Sequence, residues 1–535
     1  MKQAWVPTPL PTMPARATAT ARTAIPPRRG GAARSLWQLL RFAGFLFALR
    51  FRALPTLQKA ERVRAFLEQR GGLWIKIAQT LASRHDVLPA VYCEELGKLF
   101  DRATAYPWEQ ARQALESSLG QPLDVLFDSF DTQPLAAASI AQTYRARLNW
   151  NGAEVAVKVR RPYIDEIFRR DLKLVRAVAW LFNLWPGLRH LNLLDMHGEL
   201  EAMLLEELDF RIEATLIRDM RRNLKPRGVE IPRVYRRYCN KEVIVMSFID
   251  GVLMADYLRL LATDPLTARH WLEENHINPK KVARKIYLSC QRQIFEDNMF
   301  HGDLHPGNIM LLRHSRFALL DFGAVGTLDL QTRKQVMLYH RLVAEGDLSK
   351  AMMVLTHMSS PVPQGNLASL LRRLTRVTQA SLRFMTVKHV PYEERIYSDA
   401  TSRQLKLLGQ ARIPVSWDFL RAQRTFTVLE MSMRQLDPSM EPMKLSRAYF
   451  QRRRERAERQ AGGRHEQLFN HVEALVTDAS AVMRELADVR ALAGKIWGMG
   501  LDEMKTLGRR ALLWLSTAAA GIGGLLWAGH YYLGG

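Results

Sequence analysis

The sequence predicts an α+β protein in which a small, strand-rich lobe precedes a larger helical one. A helical extension comes before both lobes, and an apolar helix closes the chain. Three observations predict this. Between residues 121 and 250, short β-branched runs alternate with turn residues, as in "EVAVKV" ended by Pro162. From 251 to 500 the apolar residues fall almost throughout at helical spacing. "ALLWLSTAAAGIGGLLWAGHYYL" (511–533) contains no Asp, Glu, Lys or Arg, the mark of a membrane-spanning helix.

Taken in order, residues 1–35 are rich in Pro, Thr, Ala and Arg and read as a disordered basic terminus. An organelle transit peptide is the alternative, although the prolines interrupt any amphipathic helix. Residues 36–54 contain "LWQLLRFAGFLFALRF", apolar but interrupted by Arg41 and bounded by Arg50 and Arg52. That pattern suits an amphipathic helix lying in a membrane interface. Residues 55–120 have helical periodicity broken at Pro89 and Pro107. The strand-rich lobe, 121–250, begins with "DVLFDSFD", "AAASIAQTYRARLNW" and "GAEVAVKVRRP", with a hairpin turn at Asn151-Gly152. Residues 163–225 return to helix, and "EIPRVYRRYCNKEVIVMSFIDG" reads as further strands. The helical lobe, 251–500, is interrupted by a polar loop at 301–308 and a strand in "FALLDFG".

The final apolar segment has Trp and Tyr near its ends and Lys505, Arg509 and Arg510 before it. This predicts a single-pass helix with the lobes on the cytoplasmic side; a buried C-terminal helix is the alternative. Ser516, Ala520, Gly524 and Ala528 recur every fourth residue, a small-residue stripe that predicts helix–helix self-association in lipid.

Composition narrows the function. The 535 residues are 47% hydrophobic and 24% charged, which is globular, yet carry a formal charge of +24. No acidic residue precedes Glu61. Such a balance calls for a polyanionic partner: nucleic acid, anionic lipid or a phosphorylated ligand. No nucleic-acid reading module is recognisable, so a nucleic-acid partner is not expected. Cys93, Cys239 and Cys290 are widely spaced, which argues against disulfide scaffolds and zinc modules.

The chemistry centres on "FHGDLHPGNIML" (300–311). One reading is a metal hydrolase using His301, Asp303, His305 and Asp321. His301 and His305 share a face only on a helix, and Pro306-Gly307 opposes one. The other reading is phosphoryl transfer, which needs a cation on the phosphates, metal ligands and a residue that orients the nucleophile. Candidates stand in order: Lys158 within "VAVKV", Asp303 with Asn308 five residues on, and Asp321-Phe322-Gly323 after an apolar strand. Any one is common; the ordered set has the outline of a protein kinase.

"HGDLHPGN", "LLDFG", "AAASIAQTY", "AVKVRRP", "EELDFRIEA" and "WIKIAQTLASRHDVLP" together resemble the UbiB family of atypical kinases, implicated in ubiquinone biosynthesis. The resemblance covers roughly residues 60–350. It implies a two-lobe kinase-like fold using ATP and Mg²⁺. Lys158 would hold the nucleotide phosphates, Asp303 would be the catalytic aspartate, and Asn308 and Asp321 would bind magnesium. The loop Leu135, Ala136, Ala137, Ala138, Ser139, Ile140, Ala141, Gln142, Thr143 would cover the phosphates. Lys76 and Gln79, one turn apart, would lie on a helix over the site, with Lys76 meeting Glu207 and Asp209. Spacing leaves open whether Glu207 or Glu213 pairs with Lys158. The chain departs from the family pattern at Ala78 and Ala141, where glycine is usual, and at Ser247, where an acidic residue is frequent.

The expected function is therefore a membrane-anchored kinase or ATPase supporting prenyl-quinone metabolism. Expected partners are ATP, anionic membrane lipids, and prenyl-quinone intermediates or the enzymes that make them. The bacterial inner membrane is favoured over the mitochondrial one. The rivals are a nucleotide-binding pseudokinase scaffold and a true protein kinase; the absence of an Ala-Pro-Glu segment after Asp321 weighs against the second.

Overall fold

Five strands make the first lobe: Phe127–Phe130 (β1), Ala136–Ala137 (β2), Ala141–Leu148 (β3), Glu154–Arg160 (β4) and Val243–Ser247 (β5). They come from a computed structural model describing residues 6–10 and 54–461, apart from 71, 83–87, 89, 98–104, 139, 184–192, 359–366, 386–396, 412 and 414. The sheet is antiparallel in the order β1-β3-β4-β5, with β2 added to the end of β3. β3 and β4 form the hairpin expected at Asn151-Gly152, and Gly152 has φ +64° there. β4 is buried along almost its whole length. This explains why "EVAVKV" reads as a continuous apolar run rather than an alternation. Tyr144, Val155, Val157, Val243 and Val245 pack with Tyr106 and Leu115 in this lobe's core, the latter from helix Trp108–Leu119.

Two expectations of strand are corrected. Leu123–Leu126 is a helical turn that ends as β1 begins. Most of "EIPRVYRRYCNKEVIVMSFIDG" makes only isolated bridges, Glu230 to Ala318 and Val234 to Met246, plus a turn at Arg236–Tyr238; β5 is its one strand. In the opposite direction, "IMLL" forms a strand that apolar spacing alone did not separate from helix.

Helices Ile164–Asn183, Leu193–Glu207 and Phe210–Leu224 lie between β4 and β5 in sequence. The extension supplies Thr56–Arg70, Gly72–Ala82 and Ala90–Gly97. Gly72–Ala82 packs on Ile164–Asn183, where the Trp74 indole N–H donates to Asp171 Oδ2 at 3.1 Å. The second lobe is helical around two small sheets. Val252–Leu253 (β6) pairs with Ile309–Leu312 (β8), which pairs with Arg316–Leu319 (β9). Phe300–His301 (β7) pairs with Val325–Gly326 (β10). The chain divides into two compact units; residues 1–363 with 372–454 hold both lobes.

Among the described residues no helix is long and apolar enough to cross a membrane. The interfacial segment up to 53 and the 511–533 helix with its small-residue stripe lie outside the described residues.

Helix Leu330–Glu345 half-buries His340 against Phe426, with ring centroids 4.2 Å apart, and its buried Nε2 has no hydrogen-bond partner among the described residues. Burial pushes the His340 pKa down to about 3. The unfolded chain therefore binds a proton that the folded chain rejects. This contribution to stability is complete above about pH 6.5 and lost as pH falls toward 3, by up to about 1.4 kcal/mol per unit. Urea unfolding between about pH 4 and 7 should show this slope, and His340→Phe should flatten it. An unchanged slope in that variant would assign the acid sensitivity elsewhere.

Candidate active site

The loop that follows β7 is set by what precedes it. Helix Pro279–Arg292 runs into a wider turn, Gln293–Asp297, and stops at Asn298 with φ +52°. The Asn298 side chain bonds both backbone groups of Leu328, and Gln293 Oε1 accepts from the His301 amide at 2.9 Å. Gly302 donates its amide to the Ala324 carbonyl at 2.9 Å. A Cβ at 302 would meet that carbonyl oxygen at 2.3 Å, so only glycine fits. The backbone carrying Asp303 is thus locked to the one that follows Asp321.

His301 is fully buried. Its Nε2 lies 2.8 Å from the Leu320 carbonyl and its Nδ1 accepts from the Asp303 amide at 3.3 Å. Since a carbonyl only accepts, Nε2 carries the proton and the ring is neutral; burial accordingly lowers its pKa. His305 Nδ1 accepts from the Gly307 amide at 3.0 Å. Both histidines shape the loop, and among the described residues no group of three or more His, Cys, Asp or Glu could hold a metal ion. With both ring nitrogens engaged, His301 is not free to serve as a ligand in the metal-hydrolase reading.

Asp303 faces Arg424, whose guanidinium lies 3.4 Å from Oδ1, and His305 at 3.9 Å. Asn308 is buried in the turn Pro306–Asn308, and its Nδ2 donates to the Asp303 carbonyl at 3.0 Å. The amide oxygen is the atom left for a metal. Asp321 has φ +53°, the left-handed region that Asp tolerates better than most residues. Its Oδ1 lies 3.1 Å from Lys158 Nζ.

Lys158 is held by β-sheet register. It stands opposite Thr143 on β3 and Ile244 on β5, and its Nζ reaches Glu213 Oε1 at 2.7 Å. Glu213, in the first turn of helix Phe210–Leu224, is the partner that spacing left open. Burial would lower the Lys158 pKa, but Asp321 and Glu213 outweigh it and the ammonium stays charged. The same ammonium holds Asp321 well below the usual carboxylate range. Burial raises Glu213 despite Lys158.

Lys76, on the helix Gly72–Ala82, forms an ion pair with Glu207. Burial alone would lower its pKa, yet Glu207, then Asp321 and Asp303, raise it. A Cβ at Gly323 would meet Glu207 Cγ at 3.7 Å, so the Lys76–Glu207 pair lies beside the loop that follows Asp321. Asp209, expected beside Lys76, instead caps helix Phe210–Leu224 and pairs with Arg211 at 2.6 Å, because it sits at the N-cap rather than on the helix face. The side chain of Gln79 lies outside the described residues.

In the alanine loop, Ala136 and Ala137 pair with Thr143 and Gln142, and the Ala138 amide donates to the Ala141 carbonyl at 2.8 Å. Leu135 donates to Thr143 at 2.7 Å, Ile140 is buried, and Ser139 lies outside the described residues. Arg161 staples this turn: its amide donates to Ile140 at 2.7 Å and its Nε to the Ala138 carbonyl at 3.1 Å. Ala141 is an ordinary residue of β3 and Ala78 is buried in its helix, and neither has positive φ. Ser247 Oγ accepts from the Arg233 amide. Sequence reasoning missed two residues here. Arg161 lay within "AVKVRRP", beside a residue already singled out; Arg424, 121 positions beyond Asp303, offered no local signal.

Residues 98–355 match the ABC1 atypical kinase-like domain. Over those residues this chain is similar to that domain. Curated relatives include proteins named "Probable protein kinase UbiB". The one from Tolumonas auensis is 35% identical over 56% of this chain and 53% of its own length. The one from Erwinia tasmaniensis is 34% identical over 52% of this chain and 51% of its own length. The chain spans about half the length of the curated relatives it matches. A solved structure, a Mycobacterium tuberculosis protein with erythromycin, is similar at 24% identity and a TM-score of 0.39, over 73% of this chain and 97% of that one. Lys158, Glu213, Asp303, Asn308 and Asp321 fall inside the matched residues; Lys76, paired with Glu207, and Arg424, paired with Asp303, lie outside them.

Proposed function

We propose that this chain is a UbiB-type atypical kinase or ATPase that binds ATP with Mg²⁺ and supports ubiquinone or related prenyl-lipid metabolism at a membrane. The observation that carries the reading is the meeting of Lys158, Glu213 and Asp321 from three separate elements, beside a loop that presents Asp303 and Asn308. Lys158 would neutralise nucleotide phosphates, while the Asn308 amide oxygen and the Asp321 carboxylate would hold the metal. When bound, Mg²⁺ supplies positive charge that offsets the charge developing on the transferred phosphoryl group. Asp303 would take the proton of the attacking hydroxyl or water. The stapled loop from Leu135 to Thr143 would close over the phosphates, and the Lys76 helix would narrow the entry to water or a small lipid-like acceptor. The basic charge and the apolar 511–533 segment support a single-pass anchor with the lobes cytoplasmic, in a bacterial inner membrane.

Asp321→Asn tests the metal assignment while keeping a residue that tolerates the left-handed backbone. The rise in melting temperature given by ATP should depend on Mg²⁺ in the wild type and lose that dependence in the variant. An equal Mg²⁺-dependent shift in both chains would remove Asp321 from the metal site.

A further inference from the structure

A second built site lies in the helical lobe, away from this chemistry. Residues 6–10, "VPTPL", run along the end of helix Pro265–Glu274. Every polar group of Thr8 is matched. Its amide donates to Asn275 Oδ1 at 2.8 Å, its hydroxyl oxygen accepts from Asn275 Nδ2 at 2.8 Å, and its carbonyl accepts from the Trp271 indole N–H at 2.7 Å. Asn275 is fully buried, Trp271 is 3% exposed, and Pro7 is buried with them.

The receiving corner is rigid. The Asn275 amide donates to the Trp271 carbonyl, and its own carbonyl accepts from His314. His276 and His314 both take positive φ, and their rings stack 5.4 Å apart at 9°. The Asn275 Nδ2 also donates to the Trp271 carbonyl at 2.8 Å, but its buried Oδ1 and the indole N–H, left without partners, would each cost about 1–3 kcal/mol. Their geometry therefore calls for a peptide segment offering one donor and two acceptors on a single residue. Proline on either side of Thr8 suits such a site: it brings no N–H to satisfy and little chain entropy to lose.

We propose that the Trp271–Asn275 corner is a peptide-docking site for extended Pro-Thr-Pro segments, occupied in cis by residues 6–10. Docking ties the start of the chain to the helical lobe.

The test uses the full chain and a fluorescein-labelled peptide of residues 4–12. In the wild type the tethered segment competes at an effective concentration in the millimolar range, so added peptide should bind weakly. Thr8→Pro removes both the amide donor and the hydroxyl from the tethered segment. The peptide should bind that variant at least about tenfold more tightly than it binds the wild type. A peptide with valine in place of threonine, which lacks the hydroxyl, should bind about three- to tenfold more weakly than the native one. Equal binding to both chains, or to neither, overturns the proposal. A dimer in the wild type that Thr8→Pro dissolves would overturn the cis assignment.

Discussion

Asp303→Asn is expected to lower ATP turnover by about 10²- to 10⁴-fold, the range that removal of a general base gives. Folding should scarcely change. The carboxylate's ion partners, Arg424 at 3.4 Å and His305 at 3.9 Å, are all partly exposed with it. Such pairs contribute about 0–1 kcal/mol. Phosphate release and a melting curve on the same preparation separate the two effects. Turnover within threefold of wild type would leave Asp303 without its role, and no turnover in either chain would favour the pseudokinase scaffold.

Lys158→Met should act on both stability and binding. Lys158 and Glu213 have side chains 10% and 7% exposed. Removing the cation leaves the Glu213 carboxylate buried without its charge partner, a change that costs about 3–5 kcal/mol in comparable buried pairs. Urea denaturation should show the loss, and the double variant Lys158→Met/Glu213→Gln should recover part of it because the buried Glu213 charge is then gone, while the half-exposed Asp321 keeps its own. ATP affinity should stay low in both. If the double variant were no more stable than the single one, the pair would not be the source of the cost.

The fold was readable wherever the signal was local. β4 declared itself by its β-branched run, the hairpin by Asn151-Gly152, and the helices by their spacing. Misreadings fell where spacing is ambiguous. "IMLL" is too short for periodicity to separate strand from helix, and the stretch 231–242 is β-branched in parts yet mostly held by turns and single bridges. In the site, Lys158, Asp303, Asn308 and Asp321 were visible because their order in the chain is informative. The choice between Glu207 and Glu213 was not, since both precede or begin the same helix and only packing sends one to Lys158 and the other to Lys76. Asp209 was misplaced because the resemblance set it beside Lys76, whereas it stands at a helix N-cap and its carboxylate turns to Arg211. Arg424 depends on a contact across 121 positions, which no window on the sequence contains.

The register of β3 against β4 has a practical consequence for anyone attaching a probe to this protein. Lys158 faces the site because it pairs with Thr143 on one side and Ile244 on the other. Adding or deleting one residue between 154 and 157, with the start of β4 kept in register, would turn the ammonium to the opposite face of the sheet. The bend between these strands has no such constraint: Trp150 is 66% exposed and Asn151 is exposed beside it. A fluorophore or short epitope placed there would report on the small lobe without shifting the strands that hold the lysine.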